Sequence, residues 1–360
     1  MTALRIYAGP LARRHIAEHG LQPQDVAVVP GAAGGPKGLI LGPLDRFLFG
    51  AWLPRASQPV HLVGASIGAW RMAAACLDDP VAALERLERD YIAQDYELEP
   101  GRRTPSADHV SRRFAHNLQQ FYGERVVEVL THPRYRLHIV TARGRHVLGR
   151  EHRIATPLGY LGAFVSNVVH RKAMGAWLER VVFSSPEGRG PAALPFAIGD
   201  YRTRQVLLTP ANFRAALQAS CSIPFVLRAV HDIEGAPRGA YWDGGITDYH
   251  LHLDYRTPQG LVLYPHFQQA VVPGWLDKGL KWRHRATAFL DRTVVLAPDR
   301  DWVTRLPNGK LPDRTDFARY GADLQARIEA WTQAASASRQ LADEFAAWLE
   351  RPDIGRVEPL

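Results

Sequence analysis

Apolar residues come in short unbroken runs closed by glycine or polar residues, and between those runs they recur at helical spacing. Leu11 to about Glu18 has that spacing and predicts a first helix. Asp25-Val26-Ala27-Val28-Val29 is a strand-like run, followed by a glycine-rich stretch from Gly31 to Gly38. Leu39, Ile40, Leu44, Phe47 and Leu48 again fall at helical spacing, with Gly42-Pro43 placed to kink that helix. A second run from His61 empties into Gly64-Ala65-Ser66-Ile67-Gly68, and Ala69 to Leu77 is a series of strong helix formers ended by Asp78-Asp79-Pro80. Strand, helix, strand, helix at these intervals predicts an α/β protein whose parallel sheet is sandwiched between helices.

Beyond Asp79 the pattern is mostly helical to about Leu130, interrupted by the polar segment Glu99 to Ser106, which reads as a surface loop. Arg136 to Ala142, Arg180 to Ser184 and Gln205 to Leu208 are further strand candidates, and Thr209-Pro210 opens a helix reaching about Ala219. Leu161, Phe164, Val165 and Val168 form an apolar stripe followed by Arg171-Lys172 and Trp177-Leu178. A buried helix is expected there, a lid or interfacial element being the other reading. The C-terminal third carries one clear strand, Thr293 to Ala297, and an alanine-rich helical region from about Asp323 to Leu349.

A length of 360 residues fits two domains or one large α/β domain with insertions. The hydrophobic fraction of 46% and charged fraction of 22% are those of an ordinary globular protein, which excludes a disordered or low-complexity chain. No window approaches the run of about 18 apolar residues that a membrane span needs. The first residues lack a basic start with an apolar core, so no secretory signal is expected. Cys76 and Cys221 are too few for a disulfide framework and have no metal-ligand spacing, which points to a reduced, cytoplasmic setting. The net charge of +8 comes mostly from arginine scattered along the chain, with short clusters at Arg102-Arg103, Arg112-Arg113, Arg171-Lys172 and Lys281-Trp282-Arg283-His284-Arg285. Without a recognisable nucleic-acid module, the surplus points to anionic partners such as phospholipid headgroups, and to transient contact with a membrane surface.

Gly64-x-Ser66-x-Gly68 has the form of a nucleophile elbow, a sharp strand-to-helix turn that exposes a serine. An ordinary helix N-cap is the competing use of Ser66. Gly31-Ala32-Ala33-Gly34-Gly35-Pro36-Lys37-Gly38 also joins a strand to a helix, where free N–H groups and the positive helix end face developing negative charge. It is not a Walker A loop, because Lys37 is followed by glycine, nor a dinucleotide fingerprint, whose glycines would fall on Ala33 and Pro36. Pro36 has no N–H, leaving Gly34, Gly35, Lys37 and Gly38 as donors. Asp243-Gly244-Gly245 is on its own a turn signal, with Asp243 as candidate base.

In this order the three segments resemble a patatin-like phospholipase, through Gly34-Gly35-Pro36-Lys37-Gly38, Gly64-Ala65-Ser66-Ile67-Gly68 and Asp243-Gly244-Gly245. A softer match is Ala219-Ser220-Cys221-Ser222-Ile223-Pro224-Phe225. The chain departs from the family pattern at Ala32-Ala33, where Asp-Gly is frequent, and at Pro36. The resemblance implies a three-layer α/β/α fold with a mostly parallel central sheet, a catalytic domain over 26–256, and a C-terminal elaboration over 257–360 packed on it. It further implies a lipid or ester substrate, a Ser66/Asp243 dyad with Asp243 as base, an oxyanion hole from Gly34, Gly35, Lys37 and Gly38, and no cofactor or metal. Burial would raise the carboxyl of Asp243 toward neutrality and make it a better base. Two alternatives remain at this stage: a Ser-Asp-His triad using His250, His252 or His266, and a catalytically silent lipid-binding protein of the same fold.

Overall fold

The computed structural model describes residues 2–96, 105–255 and 260–360. Its strands are β1 (Leu4–Ala8), β2 (Val26–Gly31), β3 (Val60–Ala65), β4 (Tyr135–Gly144), β5 (Leu178–Ser184), β6 (Pro186–Glu187), β7 (Gly190–Pro191), β8 (Thr203–Leu207), β9 (Val230–His231), β10 (Ala240–Asp243), β11 (Leu261–Pro265), β12 (Thr293–Pro298) and β13 (Val357–Pro359). Its helices are α1 (Pro10–His19), α2 (Gly42–Phe47), α3 (Ile67–Ala74), α4 (Pro80–Ile92), α5 (Ala107–Tyr122), α6 (Val126–Thr131), α7 (Ala155–Val169), α8 (Phe213–Cys221), α9 (Gly245–Asp248), α10 (Arg300–Val303), α11 (Thr315–Tyr320), α12 (Leu324–Ala337) and α13 (Arg339–Glu350).

One sheet runs in the order β13-β1-β12-β11-β2-β3-β4-β10-β9, with β5 and β8 continuing from β4, while β6 and β7 form a separate hairpin. The central pairs β12-β11-β2-β3-β4 are parallel. Their strands are almost wholly buried, which is why they read as continuous apolar runs rather than alternating ones. α2, α3, α4, α8, α12 and α13 pack on one another as one helical layer, and α1 packs on β1, β12 and β13. The fold is the expected three-layer α/β/α arrangement with a mostly parallel central sheet.

The path of β4 brings the important residues together. Its first half pairs with β3, ending at Ala65 opposite Val140, and its second half pairs on that same edge with β10, where Asp243 faces Thr141. β5 occupies the other edge of β4. The residue following β3 and the last residue of β10 therefore meet at adjacent positions of one strand, although 177 residues separate them in sequence.

Several expectations need correction. The helix expected from Leu39 is a 3-10 turn over Gly35–Leu41 followed by the short α2, because Pro43 sits in the first turn of a new helix. The α7 stripe is not buried: Leu158 and Val169 are 61% and 78% exposed, and Leu161, Phe164, Val165 and Val168 are exposed with them. Periodicity identified an apolar face but not a surface to cover it. β1, β11 and β13 were not anticipated, since short strands depend on distant partners such as Leu296 for Ile6. Of the expected loop over 99–106, all but Pro105 and Ser106 lies outside the described residues, as does the boundary at residue 256.

Part of the arginine surplus faces inward. Arg180 is fully buried and grips Asp248 through two bonds of 2.8 and 2.6 Å and Asp200 through two of 3.0 Å, anchoring α9 directly after Asp243. Arg171 and Arg283 converge on the buried Asp277. Arg180→Leu would strand Asp248 in the interior with, among the described residues, only the Arg171 cation at 3.4 Å, so chemical denaturation should show a loss of about 3–5 kcal/mol.

Candidate active site

The turn from β3 into α3 puts Ser66 at φ 55° and ψ −130°, a strained conformation for a residue with a side chain. Two close backbone contacts force the turn. A Cβ on Gly64 would lie 2.3 Å from the Cα of Ala69, and one on Gly68 would lie 1.8 Å from the carbonyl oxygen of Gly31. The glycines are there because neighbouring backbone occupies the space of a side chain.

Although Ser66 stands at the N-cap of α3, its hydroxyl makes no capping bond. Oγ instead donates to Oδ2 of Asp243 at 2.7 Å. Asp243 is held on its other oxygen, where Oδ1 accepts the N–H of Gly245 at 2.7 Å, and its own N–H donates to the carbonyl of Ser222 at 2.9 Å. Ser220 ties the assembly to the sheet: its hydroxyl donates to the carbonyl of Val140 at 2.7 Å and accepts the N–H of Ser66 at 3.0 Å. Ser66 and Asp243 are both buried, with 5% and 6% exposure. Burial pushes the carboxyl of Asp243 above the usual carboxylate range, while the Ser66 hydroxyl, Arg314, the Gly245 N–H and Lys278 pull it back down.

A cavity of about 210 Å³ opens over the pair. Gly34 and Lys37 of the glycine-rich loop border it, while Gly38 faces Ile67 and Arg71. Gly35, at φ +57°, takes the left-handed conformation that favours glycine and reverses the loop beside Gly34. The N–H of Ala33 donates to the carbonyl of Tyr249 at 2.9 Å. Sequence reasoning missed Tyr249, Trp275, Lys278 and Arg314, which line the same cavity. All lie after Asp243, and no local motif announces them.

The three candidate histidines are elsewhere. His250 bonds to the carbonyl of Ala270 and the N–H of Val272, His252 to the carbonyl of Val271 and the hydroxyl of Thr287, and His266 to the backbone of Gln268. None bonds to Ser66 or Asp243, and none borders the cavity. Burial pushes His252 down to about 4 and His266 down to about 3. Among the described residues no group of acids, histidines and cysteines could hold a metal ion.

The family model for patatin-like phospholipase matches residues 33–250, more than half of the chain, and takes in Ser66, Asp243 and nearly all of the glycine-rich loop. The chain belongs to the patatin-like phospholipase family. Among curated proteins none matches the sequence. Patatin-like phospholipases are hydrolases of acyl ester bonds in lipids, and that general chemistry comes with membership. Lys278 and Arg314 lie beyond the matched span. Among the described residues of this patatin-like chain, no helix is long and apolar enough to cross a membrane.

Proposed function

We propose that the protein is a serine acyl hydrolase that cleaves carboxylic esters of lipids through an acyl-enzyme on Ser66, with Asp243 as the base. The observation that carries this reading is the 2.7 Å bond from Ser66 Oγ to Asp243 Oδ2 at the floor of the cavity. In the first half-reaction Asp243 takes the hydroxyl proton as Oγ attacks the ester carbonyl, then returns it to the departing alcohol. In the second, a water gives a proton to Asp243 as it attacks the acyl carbon, and Asp243 passes that proton to the departing Ser66 Oγ as the fatty acid is released. The glycine-rich loop supplies oxyanion donors among Gly34, Gly35, Lys37 and Gly38. Gly34 and Gly35 are favoured, because Lys37 and Gly38 sit where 3-10 N–H groups bond back into the turn. Activity of the wild type and Ser66→Ala on a panel of esters differing in chain length and headgroup tests the reading. Hydrolysis that survives in Ser66→Ala would contradict it.

The exposed face of α7 supports contact with lipid aggregates. Arg153 precedes it, Lys172 follows it, and Arg283 bonds the carbonyl of Val168 at 3.1 Å, which brings the exposed Lys281, Trp282 and Arg285 to its C-terminal end. An apolar face ringed by cations fits an anionic membrane surface. Wild type should co-sediment with vesicles containing anionic lipid. Leu161→Asp/Phe164→Asp should lower the partition coefficient at least about tenfold, since each side chain contributes about 1–2 kcal/mol on burial.

A further inference from the structure

The cavity over Ser66 carries more positive charge than acyl transfer to serine requires. Lys37, half-buried, and the exposed Lys278 and Arg314 all border it. Of the two carboxylates beside them, Asp243 belongs to the dyad. Asp313 is already engaged by Lys310 at 2.8 Å and by the N–H and hydroxyl of Thr315. Among the described residues no carboxylate lies within ion-pair distance of Lys37, Lys278 or Arg314, whereas Arg143, Arg171, Arg180 and Arg228 each hold one.

The three groups are also held in place. The ammonium of Lys278 sits 4.0 Å from the ring centroid of Tyr249 and 5.5 Å from that of Trp275, and the ammonium of Lys37 lies 5.5 Å from the centroid of Phe267. The guanidinium of Arg314 lies over the glycine-rich loop, where a Cβ on Gly35 would come within 3.4 Å of its Nε. Burial pushes the ammonium of Lys37 below its usual range, as expected for a cation desolvated without a close counterion. Three unpaired cations facing one cavity repel each other, and an anionic ligand relieves that repulsion.

We propose that Lys37, Lys278 and Arg314 form an anion-binding collar at the mouth of the cavity. It selects esters whose alcohol part carries a phosphate or another anionic oxygen group while the ester carbonyl reaches down to Ser66. The collar rests on the acyl-hydrolase reading for its effect on turnover but not for its ability to bind. Two of its three members lie outside the span shared with the family, so the selection belongs to this chain's C-terminal third.

The test uses octanoyl monoesters kept monomeric and differing only in headgroup: glycerol, glycerophosphocholine, glycerol 3-phosphate, and a succinate half-ester that replaces phosphate by carboxylate. In the wild type kcat/KM should be at least about tenfold higher for the glycerol 3-phosphate ester than for the glycerol ester, and raising the salt should shrink that ratio, since Lys278 and Arg314 are exposed. The succinate arm tells a phosphate collar from a general anion collar. Lys278→Gln/Arg314→Gln should bring the ratio close to one, Arg314→Lys should keep most of it, and Arg305→Gln, outside the cavity, should leave it unchanged. A ratio unmoved in the double variant overturns the collar. So does an equal fall for charged and neutral esters, which would put the cations to work on the reacting centre instead. Calorimetry of Ser66→Ala with glycerol 3-phosphate reads the collar without turnover: binding that the double substitution abolishes supports it, and no binding overturns it. If the wild type cleaves no ester yet Ser66→Ala binds glycerol 3-phosphate, the acyl-hydrolase reading fails and the collar stands.

Discussion

Asp243→Asn is expected to lower kcat/KM on every ester the wild type cleaves by about 1,000-fold or more, with the protein still folded. Asparagine keeps the shape of the side chain and its place at the end of β10, but it has no oxygen able to take the Ser66 proton. Wild-type activity should fall on acidification through a pKa above the ordinary carboxylate value of about 4, because burial favours the protonated, inactive form of Asp243. The sign for stability follows from the same shift. A carboxyl whose pKa is raised on folding binds its proton more tightly in the folded state, so its effect on stability is most favourable at low pH and is lost as pH rises through the folded pKa. Asp243→Asn removes that loss. Its Tm should equal or exceed that of the wild type at pH 7–8, the pattern of a site whose function costs stability. Equal activity in the two proteins, or a wild-type acid limb that Asp243→Asn retains, would count against the base role.

Gly68→Ala should be the most damaging of the glycine-to-alanine changes among the described residues. The new Cβ would lie 1.8 Å from the Gly31 carbonyl oxygen, 2.2 Å from its carbon and 2.7 Å from the Ala32 carbonyl oxygen, all of it backbone with no flexible side chain to move. Either α3 shifts away from the loop after β2, or the β2–β3 pairing opens. Both outcomes disturb the buried centre of the sheet, and a loss of about 4 kcal/mol or more is expected, at the extreme of single substitutions. Thermal unfolding of Gly68→Ala beside Gly190→Ala, where a Cβ meets nothing within 4 Å, measures it. Equal Tm values would mean that the elbow has room the structure does not show.

What the sequence made legible follows from where each signal resides. β2 and β3 were readable because strands buried on both faces must be apolar throughout, and the elbow because its glycines answer a local crowding of backbone. Asp243 was readable only in company. Asp-Gly is a turn signal by itself, and the contact with Ser66 depends on the register of two different strands along β4. Lys278 and Arg314 carry no motif, since they reach the cavity from segments whose positions are set by long-range packing. The α7 stripe misled for a related reason: its spacing is that of a core helix, and only the tertiary structure shows that none of the described residues cover it. Arg171, counted with Lys172 among the basic clusters that pointed to anionic partners, is largely turned inward to Asp277 and Asp248.

The account turns on Ser66 being a nucleophile, and a fluorophosphonate probe reads this without knowledge of the substrate. Incubation of the wild type followed by intact-mass and peptide analysis should give one covalent adduct, located on Ser66. Ser66→Ala should give none, and Asp243→Asn should label far more slowly. No adduct on the wild type, or an equal adduct on Ser66→Ala, would contradict the account.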